Sequence, residues 1–256
     1  MAEKVELPAF TIDARRRLSL HYLWGVAATA MSVLLTLLLA LPAFALATSR
    51  RYKALAQLAR FWARGIVKFC GVRVELSGFE NLTNLTPCLL VSNHQSFFDV
   101  FTMLAFMPIN TRFVAKKELL KFPAFGYALQ HSDNVVIDRE AGGRTIRHAI
   151  HVLRSGLNLG IFPEGHRFTD GRVHEFEDGT AWLAILSQKP AVPMAIGGSG
   201  LILPPSAAVV SPGRILRIAI GTPIPTAGMR KDDRAELTSR LHEEVSKLYQ
   251  SVSAGL

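Results

Sequence analysis

Asn93-His94-Gln95-Ser96-Phe97-Phe98-Asp99 places a histidine and an aspartate five residues apart. A histidine and a carboxylate can act together as a general base and the group that orients it. On one continuous α-helix they would point about 140° apart, because each residue turns the helix by about 100°. The pair works only if His94 lies on a loop and Asp99 in the first turn of the helix that follows. Ser96-x-x-Asp99 also fits a capping box, in which both side chains satisfy free N–H groups at a helix start. Taken alone, the stretch supports either role.

The flanking sequence supplies the junction this chemistry needs. An apolar, strand-like run, Pro87–Ser92, precedes the stretch, and an amphipathic segment, Val100–Phe106, follows it. A second junction is Leu159-Gly160-Ile161-Phe162-Pro163-Glu164-Gly165-His166-Arg167, where Pro163 ends ladder pairing and Gly165 permits a backbone conformation closed to other residues. Glu164 and Arg167 could also simply pair with each other at the surface. Phe113–Leu119 ends a strand at Lys116-Lys117, and Asn134–Arg139 ends another at Asp138-Arg139. Ligands of α/β sheets bind beyond the strand ends. Either charged cluster alone reads as a solvated strand end, but Lys116-Lys117 and Arg139 together with Arg167 could supply several cations there, suitable for a phosphomonoester.

Strand candidates are Val72–Leu76, Cys88–Ser92, Arg112–Ala115, Val135–Asp138, Leu159–Phe162, Val192–Ile196, Ala207–Val210 and Ile215–Ile220. Helical periodicity covers Val100–Phe106, Gly126–Gln130, Arg144–Ser155, Thr180–Ser187 and Asp232–Val252. This alternation predicts an α/β domain over 71–256, a sheet flanked by helices.

Residues 1–70 differ in kind. They hold ten Lys/Arg and three Asp/Glu, a net +7 of the chain's +9. Leu23–Ala47 has no charged residue and is long enough to cross a bilayer, which takes about 20 residues. It far exceeds the ~7–15 apolar residues of a signal peptide. Both a single span and a half-inserted helix pair broken near Pro42 fit. Residues 52–70 put Leu55, Leu58, Trp62, Ile66 and Phe69 on one helical face and Lys53, Arg60, Arg64 and Lys68 on another, as in a helix lying in a membrane interface. The basic excess beside an apolar run points to anionic lipid head groups. No zinc-finger, helix-turn-helix or RNA-binding pattern supports a nucleic-acid partner. The histidines and two cysteines show no metal-ligand spacing, and Cys70 and Cys88 are expected to be buried free thiols.

Four blocks, Asn93–Asp99 (N-H-x-S-x-x-D), Val135–Arg139 (ending I-D-R), Phe162–Arg167 (F-P-E-G-x-R) and Val192-Pro193, together resemble the glycerolipid acyltransferases, the 1-acylglycerol-3-phosphate (lysophosphatidate) acyltransferase family. The resemblance covers about residues 71–225 and implies that family's mixed sheet. It implies acyl transfer from a thioester, acyl-CoA or acyl carrier protein, to the sn-2 hydroxyl of 1-acylglycerol-3-phosphate, with no cofactor. His94 would be the base and Asp99 its orienting group. Lys116, Arg139 and Arg167 would hold the phosphate, Glu164 and Gly165 would shape the glycerol end, and the Gly165 N–H would face the oxyanion. The implied site of action is the cytoplasmic face of the inner membrane. The chain departs from the family pattern at His166-Arg167-Phe168, at Phe176-Glu177-Asp178-Gly179 and at Leu203-Pro204-Pro205. These departures bear on the acceptor more than on the reaction. They keep open another lyso-lipid such as lyso-ornithine lipid, or glycerol 3-phosphate. A catalytically silent membrane-interface protein is the alternative of a different class.

Overall fold

The computed structural model describes residues 12–121, 123–131, 134–137, 143–168 and 170–256. Seven strands form one mixed sheet: β1 (Arg73–Ser77), β2 (Leu89–Ser92), β3 (Thr111–Lys116), β4 (Val135–Ile137), β5 (Asn158–Ile161), β6 (Ala191–Gly197) and β7 (Ile215–Ile220), in the order β1-β7-β6-β2-β5-β3-β4. All neighbours pair parallel except β6 and β7. The helices are α1 (Ile12–Thr48), α2 (Tyr52–Phe69), α3 (Phe98–Phe106), α4 (Pro123–Gln130), α5 (Gly143–Arg154), α6 (Gly179–Ser187), the single turn α7 (Ser199–Ile202) and α8 (Arg234–Ser253).

β2 is the centre of the sheet and is buried on both faces. Successive side chains of a strand point to opposite faces. Leu90 accordingly joins the core under α2 and α3, while Leu89 and Val91 join the core under α5, α6 and α8. The parallel strands β2, β3 and β5 end on one side of the sheet, and the loops leaving β2 and β5 there carry His94 and the Phe162–Arg167 turn.

Ala207–Val210 is not a strand. The Ala207 N–H closes a turn on Pro204 O, and the Val210 N–H donates to Thr29 Oγ1 of α1. Pro204 and Pro205 before the segment and Pro212 after it lack N–H groups, so a ladder could not extend through its flanks.

α1 runs unbroken through Pro42. The chain reverses at Ser49–Arg51 instead, where Arg50 takes φ +54°. Thr29, Ser32 and Thr36 bond the carbonyls four residues back, so the small polar residues of the apolar run are satisfied within the helix. α2 returns antiparallel and packs on both α1 and α3. Its Ile66 and Val67 belong to the same core as Leu90 and Val192, so the 70/71 boundary falls inside a shared core. The basic face of α2 has two uses. Arg60 and Arg64 donate to the carbonyls of Met107 and Ala105 at the C-terminus of α3, where cations are favoured. Lys53, Arg64 and Lys68 are exposed beside Phe61, which is 61% accessible. Cys70 and Cys88 are fully buried, and burial pushes their thiols up to about 11 and about 12.

Candidate active site

His94 lies on the loop after β2, and Asp99 is the second residue of α3. Nδ1 of His94 is 2.8 Å from Oδ2 of Asp99. The same oxygen accepts the N–H groups of Gln95 and Ser96, each at 2.9 Å. Ser96 Oγ accepts the Phe98 N–H in return and donates to Leu203 O. The hydrogen bonds at the helix start and the His94–Asp99 pair are thus one structure. With Nδ1–H given to Asp99, Nε2 is left as the acceptor of the ring. The imidazole is 16% exposed and lines the cavity described below. Asp99 is fully buried, and its Oδ1 has no hydrogen-bond partner among the described residues.

Neighbouring strand ends hold this loop. Asn93 exchanges two hydrogen bonds with the main chain of Ile196 in β6, and Phe162 stacks under the His94 ring at 4.0 Å. Glu164 is 4% exposed; its Oε1 accepts the His94 N–H at 2.8 Å and its Oε2 the His174 N–H at 3.2 Å. Burial pushes its carboxyl up to about 7, against these two hydrogen bonds and the nearby His174, which lower it; the Asp99 charge adds to the rise. Glu164 does not line the cavity and does not pair with Arg167; it ties the loop after β2 to the turn after β5.

Gly165 lines the cavity and takes φ +67°; a Cβ there would lie 2.9 Å from Glu177 Oε1. Its N–H donates to Phe162 O at 3.2 Å, closing the turn, so this amide is not turned toward an oxyanion. The Arg167 guanidinium lies 3.7 Å over the Phe97 ring, and its buried Nη1 has no partner among the described residues. Burial lowers its pKa while the charge of Asp99 raises it. Arg167 thus brings a cationic side chain to the wall of the cavity that His94 lines. Lys116 closes β3 as expected, but only its backbone is described. Arg139 lies outside the described residues.

His94, Phe162, Gly165 and Arg167 stand at the wall of a cavity of 1520 Å³. Its lining continues through Phe101 and Leu104 of α3, Leu55, Leu58 and Trp62 of α2, and Leu39 and Ala43 of α1, and on another side through Val114, Ile146 and Leu183. A ligand pocket for a compact molecule measures about 300–1,000 Å³. This one has room for a long apolar chain beside His94. The N-terminal hairpin, expected from the sequence to anchor the chain, also walls the cavity. Phe97 and Gln95 stand inside the recognised block, yet their roles depend on contacts far along the chain.

The sequence profile of the family described as Acyltransferase matches residues 73–197. A 1-acyl-sn-glycerol-3-phosphate acyltransferase of Pseudomonas aeruginosa is 32% identical over 197 residues, covering 75% of this chain and 74% of that protein. The chloroplastic enzymes BAT2 of Brassica napus and LPAT1 of Arabidopsis thaliana are each 30% identical, over 65% and 78% of this chain; the chain spans 49% and 56% of their lengths. The crystal structure of the 1-acyl-sn-glycerophosphate (LPA) acyltransferase PlsC from Thermotoga maritima superposes with a TM-score of 0.80 at 21% identity, covering 92% of this chain and 99% of that one. That likeness carries the fold, including its N-terminal helices.

Proposed function

We propose that the chain, which belongs to the 1-acyl-sn-glycerol-3-phosphate acyltransferase family, transfers an acyl chain from a thioester to the sn-2 hydroxyl of 1-acylglycerol-3-phosphate, giving phosphatidic acid. The single observation that carries this is the His94–Asp99 pair at 2.8 Å beside a large, mostly apolar cavity whose wall also carries Arg167.

His94 Nε2 takes the hydroxyl proton as the oxygen attacks the thioester carbonyl. The new C–O bond forms a tetrahedral intermediate, which expels the thiolate. The imidazolium returns its proton to that sulfur. Asp99 holds the ring in the required tautomer and stabilises the imidazolium. Arg167 holds the acceptor's phosphate, with Lys116 and Arg139 as its proposed companions. Glu164 and Gly165 act by position, one fixing the His94 main chain and the other the turn that presents Arg167. The thioester carrier, acyl-CoA or acyl carrier protein, serves as co-substrate.

A second acceptor rests on Glu177, which lines the cavity beside Gly165. An acid there suits a lyso-lipid with a cationic head, such as lyso-ornithine lipid. Turnover of a panel of lysophosphatidate, lyso-ornithine lipid and glycerol 3-phosphate with both donor types tests the assignment. Preference for lysophosphatidate supports it, and turnover of none of the three overturns it.

We infer further that the hairpin lies in one leaflet, with the catalytic domain at the cytoplasmic face of the membrane. Ser19–Thr48 is long and apolar enough to cross a bilayer, with a mean hydropathy of 2.3 over an 18-residue window. Yet Trp24 packs on Gly71 and Gly213, Thr29 bonds Val210, Trp62 bonds Thr36, and Phe44 packs against Tyr127. From Trp24 to Phe44 is about 30 Å of helix at 1.5 Å per residue, the full thickness of the hydrocarbon core. A helix seated on the protein over that length crosses the bilayer only by taking the domain with it. Its opposite face, with Leu37 67% and Leu41 74% exposed, is free to meet lipid.

A further inference from the structure

Gln95 sits between the proposed base and the residues that cap α3, and it is buried. Its main-chain N–H donates to Asp99 Oδ2. Its side chain leaves the loop, and Nε2 donates at 2.8 Å to the hydroxyl of Tyr249 in α8. Tyr249 lies 154 residues downstream and outside the stretch that matches the family profile.

The end of α8 is fixed in place by two further contacts. A Cβ on Gly197, the last residue of β6, would lie 2.7 Å from Val252 O, so α8 crosses the strand end at a distance only glycine permits. Arg217 of β7 donates through Nη1 to Ala254 O at 2.6 Å and through Nε to Glu75 at 2.9 Å, pinning the C-terminus of the helix to two strands. Burial, followed by the charges of Asp99, Asp170 and Glu164, raises the Tyr249 pKa above the usual phenol range, and the hydrogen bond from Gln95 opposes this. The hydroxyl is therefore a neutral acceptor for the Gln95 amide.

We propose that Tyr249 is a positioning residue for the acyl transfer assigned above: through Gln95 it fixes the loop that aims His94 at Asp99. The C-terminal helix is thus part of the apparatus that sets the geometry of the base as well as a cover for the sheet. This rests on the proposed function, and the experiment separates the two.

Tyr249→Phe keeps the ring and removes the hydroxyl. Losing one buried hydrogen bond lowers kcat about five- to tenfold, with KM for donor and acceptor unchanged. Gln95→Met gives a similar loss. The double variant is no worse than either single, because both remove the same link. Leu241→Ala, a cavity lower on α8, lowers the melting temperature but leaves kcat per folded enzyme unchanged. Independently of turnover, proton NMR of the intact enzyme in detergent reads the Nδ1–H that His94 gives Asp99, identified by its loss in His94→Ala; this signal shifts or broadens in Tyr249→Phe and not in Leu241→Ala. A wild-type kcat and an unchanged signal in Tyr249→Phe, or an equal kcat loss in Leu241→Ala, would overturn the proposal. Absence of turnover in the wild type sinks the functional assignment instead, and the proton signal still decides the role of Tyr249.

Discussion

Asp99 Oδ2 lies 2.8 Å from His94 Nδ1 and also accepts the main-chain N–H groups of Gln95 and Ser96. One oxygen therefore starts the helix, shapes the loop and orients the imidazole. Charge-assisted hydrogen bonds of this kind are the stronger ones, and here three converge on a fully buried atom.

Asp99→Asn separates those tasks. An asparagine oxygen can still accept the loop N–H groups, as asparagine does at helix caps. It carries no charge to stabilise an imidazolium. The expected variant is folded, with a melting temperature within a few degrees of wild type and kcat lower by about 10²–10⁴. Near-normal kcat would assign Asp99 to capping alone.

Glu164 gives a pH signature. Burial raises its carboxyl from the usual 4.5 to about 7. A raised value in the folded state means that the folded chain keeps this proton where the unfolded chain has lost it. The contribution to stability is full below about pH 4.5 and is lost as pH rises through about 7. Relative to Glu164→Gln, wild-type stability should fall across that window by up to about 3 kcal/mol. Urea denaturation of both proteins at a series of pH values measures the difference; a flat difference contradicts the burial argument.

Arg167 should act on one substrate. Its guanidinium lies over Phe97 with Nη1 unpaired. A lysine carries the charge but neither stacks as a plane nor offers a fork to phosphate. Arg167→Lys and Arg167→Ala are both expected to raise KM for lysophosphatidate about tenfold or more while leaving KM for the thioester unchanged. Equal effects on both substrates would remove Arg167 from the phosphate site.

The pose of the hairpin is measurable by depth. Nitroxide labels at Leu23 and Leu41, 61% and 74% exposed, are separated by about 27 Å of helix. An in-plane α1 puts both at similar shallow depths in one leaflet. A span puts them near opposite head-group layers with Met31 at the centre.

Much of this site was legible from residue type and spacing. The 140° divergence on a single helix already required His94 on a loop and Asp99 in the first turn, and the structure has both. The β2 and β7 segments read true because their apolar runs are bounded by turn residues. The rest depends on contacts that local sequence does not encode. Ala207–Val210 has a strand's composition, but a threonine of α1 takes one of its donors. Pro42 looked like a break, yet α1 runs through it and the reversal comes at Arg50. The family resemblance implied that Glu164 shapes the glycerol end; in the structure its oxygens accept two main-chain amides, contacts that local sequence does not encode. Gly165 was rightly expected to take a positive φ, but the N–H assigned to an oxyanion closes its own turn.

The central claim is that His94 is the base of an acyl transfer to a lysophospholipid hydroxyl. The direct measurement is the rate of phosphatidate formation from lysophosphatidate and an acyl thioester by His94→Ala, set beside its membrane binding and melting temperature. The account predicts transfer lowered by at least about 10³-fold in a protein that still binds membranes and melts normally. Transfer at a rate near wild type would contradict it.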